Sequence, residues 1–282
     1  MKRKLLIGLV FLIGFAIFSF PLFSNWYNNR VHYHLISDYS RQVDKLGTAE
    51  IDEQLEKARG FNKLLQTGIQ QIGDPFLANR WQVIAGMDKD MYPAMFKENN
   101  VIGELKVPKI QVVLPIFHGI SDDILARGIG YMPNTSLPVG GEGVHTVLTG
   151  HRGLPTAQLF RHLDQLEIGD VFYIKCLRQT LAYEVDQITV ALPSQVEGIA
   201  IEEGKDYTTL LTCEPYMINS HRLLVRGHRI PYEEGSDVAV SHGKAMFWLR
   251  YKEYIISFAI ILLLALIIFL FSRRKSWLRR QQ

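Results

Sequence analysis

The sequence predicts a mainly β protein whose central domain is a single antiparallel-rich closed barrel, carried on N-terminal helices and bounded by two transmembrane helices. Three observations predict this. From Val101 onward, short runs rich in Val, Ile, Leu, Tyr and Thr recur with Gly or Pro turns between them. Few helical patterns interrupt those runs. The long apolar stretches lie instead at the two ends, Leu5 to Phe23 and Ile255 to Phe271, uncharged runs of about 19 and about 17 residues that can each cross a bilayer.

The first apolar run is read as a retained anchor: its core is longer than that of a secretory signal, and no small-x-small cleavage site follows Pro21. A cleaved signal peptide is the alternative. Lys2, Arg3 and Lys4 precede this run, while Arg273, Arg274, Lys275, Arg279 and Arg280 follow the second. The positive-inside tendency therefore predicts a two-pass protein of the cell membrane, with both termini cytoplasmic and the middle outside. The formal charge of +3 becomes about −5 once those eight cations are set aside, so the basic balance reflects membrane orientation and not nucleic-acid binding. Neither a phosphate-binding glycine motif nor a clustered metal-ligand pattern occurs, and no cofactor or metal is expected.

After the interfacial pair Trp26 and Tyr27, the chain to about Leu65 has helical spacing, with apolar residues at Tyr39, Val43 and Leu46, then at Ile51, Leu55, Ala58, Phe61 and Leu65. Gly47 separates two helices. Such helices can act as a stalk, as cover for a core, or as both. Pro75 disfavours helix at Asp74 and places Asp74, Pro75 and Phe76 in a long loop. Strands are expected at Ile102 to Val107, Val112 to Phe117, Val144 to Thr149, Val171 to Cys176, Leu181 to Val190, Thr208 to Cys213 and Leu223 to His228. Short helices are expected at Asp122 to Ala126 and Thr156 to Leu166. The resulting divisions are 1–27 tail and anchor, 28–71 helical segment, 72–95 loop, 96–235 barrel, 236–254 linker, 255–271 second span and 272–282 basic tail.

The chemistry centres on two strand ends. Thr209-Leu-Leu-Thr-Cys213 is a strand that stops at Cys213, after which Pro215 and Asn219 break the pattern and Arg222 opens the next strand beside it. A neighbouring cation lowers a thiol's pKa and supplies the nucleophilic thiolate. Thr149-Gly150-His151-Arg152-Gly153 ends another strand, with glycines flanking a histidine, and a Cys with a His and a polar third group is a recurring arrangement for acyl transfer. The plainer readings stand beside these. Cys213 can be a small buried hydrophobe, His151 can be a surface residue, and the two cysteines, Cys176 and Cys213, can form one bridge.

In this order, the Gly-His151 turn, the Thr-Leu-Leu-Thr-Cys213 strand and Arg222 resemble the sortases, membrane-anchored cysteine transpeptidases of Gram-positive bacteria. The second span, the long segment containing Asp74-Pro75-Phe76 and the phrase Asn219-Ser220-His221-Arg222 resemble class C, the pilus-building branch. The resemblance implies a sortase-type β-barrel, Cys213, His151 and Arg222 as catalytic residues, Thr149 and Thr212 as substrate-binding residues, and Asp74, Pro75 and Phe76 as a lid. It implies no cofactor. The implied partners are pilin subunits bearing a Leu-Pro-x-Thr-Gly-like sorting signal, with a pilin lysine as acyl acceptor. Glu214 departs from the less acidic residue usual after the cysteine. Alternatives are a sortase that anchors proteins to peptidoglycan, a cell-wall cysteine peptidase or amidase, and a non-catalytic surface adhesin.

Overall fold

A computed structural model describes residues 2–67, 76, 101–154, 156–236 and 255. Asp74 and Pro75 of the expected lid lie outside the described residues, as do the linker beyond 236, the second span save Ile255, and the basic tail.

Helix α1 (Lys2–Lys45) is continuous, and its apolar N-terminal half is exposed and long enough to cross a membrane. It stops beside Gly47, and α2 (Thr48–Thr67) follows. The helical spacing seen in the sequence has a plain purpose: Ile51, Leu55, Ala58, Phe61 and Leu65 of α2 are all buried, as are Tyr39 and Val43 of α1, and all join the barrel core. Two amides complete the docking of α2. Asn62 donates to the Leu137 carbonyl and accepts from its N–H, at 3.1 and 2.7 Å, while Gln66 donates to the carbonyls of Glu142 and Gly143.

The barrel strands are β1 (Val101–Val107), β2 (Val112–His118), β3 (Ile129–Tyr131), β4 (Val144–Thr149), β5 (Val171–Cys176), β6 (Gln179–Ala191), β7 (Asp206–Glu214) and β8 (His221–Ile230). They close in the order β1-β2-β3-β4-β7-β8-β6-β5. Closure removes the free edges that an open sheet would expose. Two pairings, β2 with β3 and β4 with β7, are parallel, and the rest are antiparallel. The parallel β4–β7 pair matters most here, because it makes the histidine turn and the cysteine strand leave the barrel at the same rim.

Two expectations need correction. Strand β3 is absent from the sequence reading because three residues are too few to show a periodic pattern; its neighbours β2 and β4 impose it. The segment Thr156 to Leu166 is not a helix: its regular structure is limited to a single 3-10 turn at Leu163–Gln165. Leu159 adopts a left-handed φ of 42°, and Ala157, Leu159, Phe160, Leu163 and Leu166 are buried at spacings that no single helical face provides. Tertiary burial has overridden local propensity. Short helix α3 (Asp122–Arg127) forms where expected.

Candidate active site

Strand β7 is buried along nearly its whole length, so its Thr and Leu residues are covered on both faces of the strand. Its register against β8 pairs Cys213 with Arg222 and Glu214 with His221. The thiol and the guanidinium are thus direct cross-strand neighbours at the barrel rim. Cys213 is 6% exposed and Arg222 is 4% exposed, so both are covered in this structure. Cys176 and Cys213 are not joined by a disulfide, which excludes the bridge.

His151 arrives from the parallel partner. Thr149 pairs with Leu211, and the Gly150 N–H donates to the Leu211 carbonyl at 3.1 Å, extending the β4–β7 ladder by one step. Gly150 has no room for a side chain, since a Cβ would stand 2.9 Å from Ile129 Cγ2 and 3.1 Å from Phe160. The Thr212 hydroxyl then donates to the Gly150 carbonyl at 2.7 Å. Thr212 and Thr149, expected to touch substrate, are fully buried. In this structure the Thr212 hydroxyl holds the histidine turn from behind, and Thr149 lies inside the β4–β7 pairing.

Phe76 closes the group. Its ring centroid lies 5.8 Å from that of His151, and the Arg222 guanidinium sits 5.1 Å over the same ring. It also packs against the small cluster of Met132, Val147, Ile199 and Leu211. One aromatic side chain therefore bridges the His151 imidazole and the guanidinium paired with Cys213. Half-burial lowers the His151 pKa from its ordinary value, with the Asp122 carboxylate pulling weakly the other way. Burial thus favours the neutral imidazole, the form able to accept a proton. Arg222 is aimed by its own loop, donating from Nη1 to the carbonyls of Asn219 and His221 at 3.0 and 2.9 Å.

Arg152, a residue to which the sequence reading gave no role, is the brace of the site. It is buried, pairs with Glu214 and with Asp164 at 3.1 Å, and donates to the carbonyls of Arg161 and Cys213. One guanidinium fork thereby ties the histidine turn to the end of the cysteine strand. The acidic residue after the cysteine is explained by this contact: Glu214 is the counter-charge of Arg152. A Gly-His-Arg turn in the same chain as a Cys-Glu pair was the available signal. Arg226, farther along β8, pairs with Asp186 at the β6 bulge, and its guanidinium lies 4.2 Å from the centre of the Tyr207 ring.

A family model for the sortase domain matches residues 105–230. Among solved structures, Sortase C of Streptococcus pneumoniae, described with reference to catalysis and pilin substrate specificity, is 46% identical with a TM-score of 0.63; the match covers 71% of this chain and 97% of that one. The pilus-related Sortase C of Group B Streptococcus is 43% identical with a TM-score of 0.63, covering 71% and 98%. Among curated proteins, Sortase A of Streptococcus agalactiae is 24% identical over 217 residues, covering 75% of this chain and 78% of that protein.

Proposed function

The chain belongs to the sortase family, and on that premise we propose that it joins pilin subunits, with Cys213, His151 and Arg222 carrying out the chemistry. The reading rests on one observation above all: β7–β8 register sets Arg222 directly beside Cys213, and Phe76 links that guanidinium to His151.

The Cys213 sulfur, as thiolate, attacks the Thr-Gly carbonyl of a Leu-Pro-x-Thr-Gly-like sorting signal. His151 takes the Cys213 thiol proton as the thiolate forms; the carbon–sulfur bond forms, the carbon–nitrogen bond breaks, and His151 passes that proton to the departing amine. A pilin lysine then attacks the thioester. An isopeptide bond replaces the carbon–sulfur bond, the thiolate is released, and neutral His151 takes the proton from the attacking amine. Arg222 holds the oxyanion or a substrate carbonyl with its fixed donor fork. Thr212 acts as a positioning residue through Gly150. Phe76, with Asp74 and Pro75 before it, covers the site until substrate displaces it. The protein is anchored in the cell membrane through α1 and, in this reading, through a second span at 255–271, with the barrel outside.

The test is to incubate the protein with a candidate pilin carrying a sorting signal and an acceptor lysine. Covalent ladders are expected. Release of the cleaved pilin with no amide product would mark a hydrolase, and transfer only to a peptidoglycan amine would mark the anchoring branch.

A further inference from the structure

Helix α1 fixes which end of the barrel meets the membrane. Near one rim, Ser24 and Asn28 donate to the Thr156 carbonyl at 3.3 and 2.8 Å, and Asn25 accepts from the Gln158 N–H. Near the other, the Tyr39 hydroxyl donates to the Ile102 carbonyl at 3.0 Å and accepts from the Leu177 N–H, at the β5–β6 turn. Asn28 and Tyr39 are eleven residues apart, roughly 16 Å of helix at about 1.5 Å per residue, so α1 runs the height of the barrel. The apolar run that ends at Phe23 leaves from the rim that bears His151 and Cys213.

That rim is where the barrel's exposed apolar side chains lie. Met217 and Ile218, 80% and 71% exposed, form the tip of the β7–β8 loop. Val190, Leu192 and Ile168 stand on connections or strand ends of the same rim. Among the described residues, the remaining large exposed apolar groups are on the helices or, for Ile188, farther down β6. The tip is built to hold its shape: the N–H groups of Ile218 and Asn219 both donate to the Pro215 carbonyl, and Met217 and Asn219 take left-handed φ values of 67° and 59°. Tyr216 in the same loop packs under the Arg161 guanidinium at 4.6 Å and against Gly153. It therefore rests on the very segment, 153–161, whose far side α1 grips just above the apolar run.

We infer that Met217 and Ile218 form a membrane-contact wedge that seats the catalytic rim on the lipid surface. The inference rests on the reading of α1 as a membrane anchor. Two exposed apolar side chains on a held loop, on the rim from which α1 leaves with Trp26 and Tyr27, suit the boundary between headgroups and acyl chains. The occupant is lipid and not a second protein, because the tip lies on the rim from which the apolar run of α1 departs. Cys213 is then accessible chiefly to a chain segment that itself emerges at the bilayer surface.

The test uses the full chain in phosphatidylcholine–phosphatidylglycerol vesicles, carrying Cys213→Ser so that a nitroxide attaches only to an introduced thiol, Cys176 being buried. Labels are placed by Ile218→Cys, by Met217→Cys as a second tip site, by Arg178→Cys on the opposite rim, and by Phe15→Cys within the apolar run. At 217, 218 and 15, collisions with dissolved oxygen should exceed those with a water-soluble nickel chelate, and at 178 the order should reverse. Nickel access at both tip sites with position 15 shielded would overturn the wedge while leaving the anchor intact. Nickel access at position 15 as well would overturn the anchor reading and the wedge with it.

Discussion

The two cysteines both end a strand, yet the barrel treats them in opposite ways. Cys176 closes β5 at the rim away from His151. It is completely buried, its Sγ donates to the Ile102 carbonyl at 3.2 Å, and burial pushes its thiol up to about 12. Cys213 closes β7 at the other rim, beside Arg222 and next to the turn that carries His151. Position at a strand end therefore does not make a thiol reactive. What differs is the company: Cys176 has a tyrosine and a backbone carbonyl beside it, and Cys213 has a cation across the strand pair and the histidine turn at the same rim.

The largest expected contrast follows directly. Cys213→Ala should abolish covalent ladders while the domain still melts cooperatively, whereas Cys176→Ala should leave ladder formation intact and lower the melting temperature instead. Ladders that persist without the Cys213 thiol would remove it from the chemistry. Within the same rim, His151→Ala should cost at least roughly 10²-fold in transfer rate, the usual contribution of a positioned acid or base. Arg222→Lys keeps the charge but loses the planar fork, so its transfer rate should stay badly impaired, and near-normal turnover would show that charge alone suffices.

The brace comes next in size. Arg152 is buried but its carboxylate partners are partly exposed, so Arg152→Met should destabilise the domain by about 1.5–3 kcal/mol, the usual worth of a hydrogen bond to a charged group. A double mutant with Glu214→Gln should recover part of the loss, because the stranded carboxylate is then gone; strict additivity in denaturant unfolding would separate the two residues.

Cover of the thiol can be weakened without touching it. A cation–π contact contributes about 0.5–2 kcal/mol, so Phe76→Ala should speed modification of Cys213 by a thiol reagent about two- to thirtyfold relative to Cys176. The same change should raise the His151 pKa toward its ordinary value, since burial is what lowers it. An unmoved histidine titration by NMR would show that Phe76 does not shield the imidazole.

The smallest effect is global. His118, His145 and His151 all have pKa values lowered chiefly by burial. The unfolded chain then binds more protons than the native one below about pH 6.5. Stability should be fully present above that value and decline as pH falls through the native pKa values, visible as a falling melting temperature between neutral and mildly acid buffer. A flat profile would contradict the burial of these imidazoles.

How much of this was legible in the sequence depends on the range of the interaction. The helical face from Ile51 to Leu65, the break at Gly47 and most strands could be read, because each is written in periodicity over a few turns or strand steps. Cys213 and Arg222 could be paired from sequence since a short, broken connection returns the chain to its own neighbour. His151 could be placed at a strand end by its flanking glycines and joined to Cys213 through a resemblance. The tertiary structure alone decided the rest. A three-residue strand such as β3 has no pattern to show until β2 and β4 flank it, and the Thr156–Leu166 segment has helix-compatible residues whose burial demands another path. The Arg152–Glu214 pair joins residues 62 positions apart, and Thr212 reaches Gly150 over the same separation. The sequence determined which side chains were available; closing the barrel, with β4 parallel to β7, decided which of them meet, because only closure brings strand ends that are distant in the chain to one rim.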